Sequence, residues 1–120
     1  MKFRPFAREV IERLSKVFEV IVFTASHSSY ANQVIDLLDP EGKFITDRLF
    51  RDNCLQTSEG INIKDLRIIE NRRLEDIFIV DNSVYCFGFQ LANGIPILPF
   101  YDNKEDRELL ALEKFLGCLN

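Results

Sequence analysis

Cysteine and histidine are scarce in this chain. Cys54, Cys86 and Cys118 are the three cysteines among 120 residues, an odd number with no C-x-x-C pair. They describe reduced, mostly buried thiols of an intracellular protein, nuclear or cytoplasmic. The lone His27 argues against a histidine-based metal site. Positive charge is short as well: 15 Lys and Arg against 19 Asp and Glu give a net charge of −4, which leaves no basic footprint for direct contact with nucleic acid. No apolar run approaches the roughly 18 residues that a membrane span needs. Residues 1–20 lack the apolar stretch of a signal peptide.

What is present is a core. Hydrophobic residues make up 47% of the chain and eleven are Phe, enough burial to offset the entropy of ordering. At this length one domain, residues 1–120, is expected. In residues 5–17 the positions Phe6, Val10, Ile11, Leu14 and Val17 recur at helical spacing, and Pro5 suits a first helical turn. Residues 18–24, FEVIVFT, are short, β-branched and aromatic, which reads as a strand covered on both sides. A second helix follows, with Tyr30, Val34, Leu37 and Leu38 at helical spacing and Ser26 or Ser28 as its N-cap.

Residues 39–63 break this rhythm. DPEGKF reads as a turn, and short strands joined through Glu59–Gly60 give a small β insert at about 44–63. A buried strand at 77–81 and a short one at IPILPF come next. The last helix has Leu109, Leu112, Phe115 and Leu116 on its inner face, and Gly117 falls where a helix stops. This order is α/β, a parallel sheet flanked by helices. In such sheets ligands sit at the C-terminal ends of the strands, which singles out FTAS at 23–26 and VDNS at 80–83.

Thr24 and Ser26 follow a strand and precede a helix. A hydroxyl there either joins the free N–H groups of the helix start in binding an anion or simply caps the helix. Lys64 stands where the insert returns to the main body, as a solvated charge or as a site residue. Asp81 closes a four-residue apolar run with Asn82 beside it. Their oxygens suit Mg²⁺, but an Asp in that place can equally accept backbone N–H groups of a turn. Hydroxyl, ammonium and carboxylate together at strand ends point to phosphoryl chemistry.

In order along the chain, RPFAREVIERLSKVFEVIVFTASHSSYANQVIDLLD, RLFRDNCL, INIKDL, IFIVDNS and NGIPILPFYDNKEDREL resemble the small phosphatases of the RNA polymerase II C-terminal domain, members of the haloacid dehalogenase superfamily. The resemblance covers almost the whole chain. It implies a doubly wound, haloacid dehalogenase-like α/β fold with a parallel sheet and a small β insert, and a Mg²⁺-dependent removal of phosphate from Ser or Thr. The partner it implies is a phosphorylated protein, a Ser/Thr phosphopeptide such as the RNA polymerase II tail. Matched block by block, it implies that Thr24 and Lys64 hold the phosphate with help from the backbone at Ala25. Asn82 contacts Mg²⁺, and Asp81 supports the metal site from beside it. Arg48 and Arg51 are expected to be structural.

The family's first strand ends in D-x-D-x-T, whose first Asp attacks phosphorus while the second is acid and base. The aspartates here stand at 36, 39, 47, 52, 65, 76, 81, 102 and 106, and no two are separated by one residue. The first catalytic strand is therefore missing from these residues, and Cys54 and Cys86 offer no C-x₅-R loop in its place. Removing a central strand leaves the strands at 18–24 and 77–81 facing a gap, unless they close on each other or another segment fills it. We expect a longer natural protein, with the isolated chain inactive. The alternatives are a non-catalytic phosphopeptide-binding or scaffold member and an inactive relic.

Overall fold

The computed structural model describes residues 3–83, 87 and 90–118. The first helix, α1 (Ala7–Leu14), starts behind Phe6, whose φ of 68° is left-handed. Pro5 thus lies ahead of the N-cap rather than in the first turn, because the chain reverses at Phe6 before the helix begins. Val10 is buried, whereas Phe6 and Val17 flank the helix and are exposed.

The strand β1 (Val20–Phe23) pairs in parallel with β2 (Ile45–Leu49), in the register Ile21↔Asp47 to Phe23↔Leu49. The helix α2 (Ser28–Leu38) makes the crossover that parallel strands require. β2 falls inside the 44–63 span and is hydrogen-bonded to the main body. The inner face of α2 is Ala31, Ile35 and Leu38, packed with Val20, Val22 and Ile45. Tyr30 and Leu37 are more than half exposed. Both sets have helical spacing, but the face with the small Ala31 lets the helix lie close on the strands. Asp39 ends α2. Its buried carboxylate accepts the N–H groups of Lys43 (3.1 Å), Phe44 (3.1 Å) and Ile45 (2.9 Å), which builds the turn into β2.

A two-residue hairpin, β3 (Leu55–Gln56) antiparallel to β4 (Asn62–Ile63), turns through Gly60 at a φ of 85°. The strand β5 (Ile79–Asp81) then pairs in parallel with β6 (Gly94–Pro96). A Cβ at Gly94 would lie 2.2 Å from the ring of Phe87, which is buried there with Leu66 and Ile79. The helix α3 (Glu108–Gly117) buries Leu116 but leaves Phe115 half exposed. Two bidentate ion pairs run between the two ends of the chain: Arg4–Asp106 (2.9 and 3.1 Å), just ahead of α3, and the more exposed Arg13–Glu113 (2.6 and 2.9 Å), between α1 and α3. Cys54 is partly buried, while Cys118 caps α3 and is exposed, contrary to the buried thiol expected there. Cys86 lies outside the described residues.

Among the described residues the parallel strands form two separate pairs, β1–β2 and β5–β6, and β1 does not pair with β5. Between them lies an apolar cleft of about 410 Å³. Phe18 and Phe78 meet edge to face at its margin, with ring centroids 5.5 Å apart. Its walls are Val20 and Ile21 on one side and the consecutive residues Ile77 to Val80 on the other. Successive strand residues point to opposite faces, so walls made of consecutive residues present strand edges. Those edges carry backbone N–H and C=O groups that a further strand would pair. Leu14 of α1 and Leu112 of α3 line the same space.

Candidate functional site

The hairpin delivers Lys64 to the interior. This residue is only 8% exposed, and its ammonium donates to Oδ2 of Asp81, the last residue of β5. The other oxygen of Asp81 accepts the N–H of Ser83 at 3.0 Å, an Asx turn that fixes the carboxylate. Asp81 thus takes part in a turn and in an ion pair together. Both side chains of the pair are 10% exposed, so the attraction acts where water screens it little.

That arrangement bears on Mg²⁺. The ion takes oxygen ligands in near-ideal octahedral geometry, but both oxygens of Asp81 are engaged, one of them by a cation. Asn82 adds one exposed amide. Among the described residues no group of three or more His, Cys, Asp or Glu stands together as a metal cluster. The donors of the described residues therefore do not fit Mg²⁺ by themselves.

Thr24 continues the β1–β2 ladder by donating its N–H to Leu49 O (2.9 Å), and its Oγ1 accepts the N–H of Ser26 (3.1 Å). Arg51 closes the loop from outside: its N–H donates to Ser26 O (3.0 Å) and its Nε to Ala25 O (2.6 Å). Arg48 donates to Asn32 (2.7 Å) and Asp36 (2.8 Å), tying β2 to α2. The N-cap of α2 is His27, with no side-chain cap bond, so neither Ser26 nor Ser28 caps it. The hydroxyl of Thr24 is used within the loop instead, and the positive end of α2 faces outward without a side-chain acceptor. Thr24 and Asp81 both stand at strand ends, on β1 and β5. Lys64 and Asp81 meet directly, whereas the bonds of Thr24 lie within its own segment and to β2.

Two residues beside Lys64 escaped the sequence reading. Asp65 is 5% exposed and accepts from Arg67 N–H (3.0 Å), from the Arg67 guanidinium on both oxygens (2.7–3.1 Å) and from Gln90 Nε2 (2.9 Å). The Arg67 guanidinium holds the Asp65 carboxyl far below the usual carboxylate range. Burial opposes this, while the Arg67 backbone and the Gln90 amide add to it. Gln90 Oε1 in turn accepts the N–H of Leu66 (3.0 Å). The signal for this was an acidic residue directly after Lys64, with Arg67 two positions further on.

Comparison with known proteins follows the same lines. The family model described as NLI interacting factor-like phosphatase matches residues 1–120. CTD small phosphatase-like protein 2 of Dictyostelium discoideum is 45% identical over 118 residues, covering 98% of this chain and 20% of that protein. CTD small phosphatase-like protein of Homo sapiens is 40% identical over 117 residues, covering 98% of this chain and 41% of its own length. The chain thus spans well under half of these relatives. Fcp1, an essential RNA polymerase II CTD phosphatase, superposes with a TM-score of 0.85 at 19% identity, over 98% of this chain and 46% of that one. That likeness is one of fold, the haloacid dehalogenase-like α/β architecture. Among the described residues no helix is long and apolar enough to cross a membrane.

Proposed function

This chain belongs to the NLI interacting factor-like phosphatase family, and from that premise we propose that residues 1–120 form the phosphate-holding part of an aspartate-based protein Ser/Thr phosphatase. The observation that carries this reading is the buried Lys64–Asp81 pair at the tip of β5, beside an open strand edge. An ammonium fixed in position before substrate arrives stabilises charge on phosphate oxygens without reorganising. In this reading Lys64 holds one phosphate oxygen, and the Thr24 hydroxyl and the backbone around Ala25 hold others.

The nucleophile comes from a D-x-D-x-T segment, which residues 1–120 lack. The cleft between β1 and β5 suits a strand bearing it, with its polar end beside Thr24 and Asp81. The first Asp forms a bond to phosphorus as the phosphorus–oxygen bond to the substrate Ser or Thr breaks, and the second Asp gives that oxygen its proton. Water then cleaves the aspartyl-phosphate and returns a proton to the second Asp. Mg²⁺ dependence belongs to the same reading: oxygens of that segment would hold the ion with Asn82 at its side, and it would supply positive charge. The relatives are described as CTD phosphatases, so phosphorylated RNA polymerase II tail repeats are the first substrate class to test.

The test joins a D-x-D-x-T strand segment to this chain and follows phosphate release from a phosphoserine peptide with Mg²⁺. The fusion is expected to turn over and residues 1–120 alone are not. Chelation is expected to abolish release, and Lys64→Ala to lower kcat/KM about 100-fold. A folded fusion that releases no phosphate overturns the reading. Peptide binding without release by that fusion would favour a non-catalytic binding member instead.

A further inference from the structure

We propose that Gln90 is a positioning residue for Lys64, acting through Asp65 and Leu66. What Lys64 is for rests on the phosphatase reading; where it is held does not. Lys64, Asp65 and Leu66 are three consecutive buried residues, exposed by 8%, 5% and 2%. Gln90 is itself 8% exposed and follows Asp81 in the chain. Its amide serves both of its ends. Nε2 donates to Asp65 Oδ1 at 2.9 Å, and Oε1 accepts from Leu66 N–H at 3.0 Å. One side chain therefore fastens the two residues that follow Lys64 to the chain that follows β5. Lys64 closes the same loop from the other side by pairing with Asp81 on β5.

No apolar side chain can replace this latch, because it satisfies a buried donor and a buried acceptor at once. Asp65 has a second partner in Arg67, but the Arg67 side chain is 60% exposed and lies only two residues away. That fork joins residues two positions apart, whereas Gln90 reaches Asp65 from 25 residues away. The two attachments share Asp65 unequally: Oδ1 takes Gln90, the Arg67 N–H and one bond from Arg67 Nε, whereas Oδ2 takes Nε and the outer guanidinium nitrogen of Arg67. Asp65→Asn with its amide nitrogen at the Oδ2 place therefore gives up the outer arm of the fork, keeps one Arg67 Nε bond at Oδ1, and keeps the latch. Gln90→Met keeps the length of the side chain and loses the latch.

The measurement is the exchange of the Lys64 ammonium protons, read by NMR on the 120-residue chain together with its contact to Asp81. In the wild-type chain the signal is expected to be protected. In Gln90→Met it is expected to exchange about ten-fold faster, with the amide signals of α2 and β1 unmoved, while Asp65→Asn keeps it. An unprotected wild-type signal overturns the proposal, as does an unchanged one in Gln90→Met. Should Gln90→Met fail to fold, the wild-type chain decides. The Leu66 amide and the Lys64 ammonium are then expected to open with the same urea dependence, and two different openings overturn the latch. Tungstate, a phosphate analogue, separates the two ideas. It is expected to bind Gln90→Met about ten-fold more weakly than wild type. A wild-type chain that protects Lys64 and binds no tungstate counts against the phosphate reading while upholding the latch.

Discussion

Replacing Asp39 by alanine removes the acceptor of three N–H groups at once, and the cost follows from where those groups lie. The Ile45 N–H is buried, whereas those of Lys43 and Phe44 are partly buried and open to water. A hydrogen bond to a charged group contributes about 1.5–3 kcal/mol, and a buried donor left alone costs about 1–3 kcal/mol. Crediting water with the two outer donors leaves about 2–4 kcal/mol for Asp39→Ala, a large part of a total stability of roughly 5–15 kcal/mol. The urea midpoint is then expected to fall by on the order of 1–2 M. Asp39→Asn keeps one oxygen for Phe44 and Ile45 and is expected to lose about half as much. Acid distinguishes the two. Burial alone would raise the Asp39 carboxyl, but the bonds from Ile45, Phe44 and Lys43 outweigh it and hold the group below its ordinary value. A carboxyl depressed in the folded state stabilises fully above its unfolded pKa of about 3.9, and that stability is lost as pH falls through the folded value. The gap between wild type and Asp39→Asn is therefore expected to narrow below about pH 4. An Asp39→Ala chain within about 0.5 kcal/mol of wild type would refute the reasoning, as would a gap that ignores pH.

Three further changes separate buried from exposed interactions in the same urea experiment. Among the described residues Lys64→Met leaves Asp81 with the Ser83 N–H alone and is expected to cost about 3 kcal/mol; adding Asp81→Asn should restore part of it, and strict additivity would count against a coupled pair. Gly94→Ala puts a methyl group 2.2 Å from the Phe87 ring, at an expected cost of about 1–3 kcal/mol, and Phe87→Leu in the same chain should recover some of it. Arg13→Ala breaks a pair whose members are 47% and 25% exposed and is expected to leave the midpoint unmoved; a fall as large as that of Lys64→Met would contradict the distinction.

Much of this was legible in the sequence, because the strong signals are local. The apolar β1 and β5 and the crossover helix follow from residue type and spacing, whereas Lys64 and Asp81 take their roles from the family resemblance. The misjudged features are those that neighbours decide. Two helical faces of α2 are plausible from spacing, and contact with β1 and β2 selects the one through Ala31 and Ile35. Phe115 has the right spacing on α3 and lies outside its packed face. The parallel pairing of β2 depends on a strand twenty-odd residues away, with Asp47 and Arg48 in its middle to disguise it. At the site, Asp65 and Gln90 are 25 residues apart, and nothing in either stretch alone shows that one amide joins them.

The separation of the strands into two pairs sets an order of events along the chain. β1, α2 and β2 close within residues 20–49, and β5 and β6 within 79–96, so each pair closes over a far shorter stretch than the chain ends do. What unites them is long-range: the Phe18–Phe78 contact, and Arg4–Asp106 across 102 residues of chain. Closing a loop of that length costs on the order of 4 kcal/mol, which the short-range units do not bear. The units are thus expected to assemble before the chain ends meet and to outlast them when the ends part. Breathing at the contact of α1 with α3, whose Leu14 and Leu112 line the cleft, would widen the space between β1 and β5.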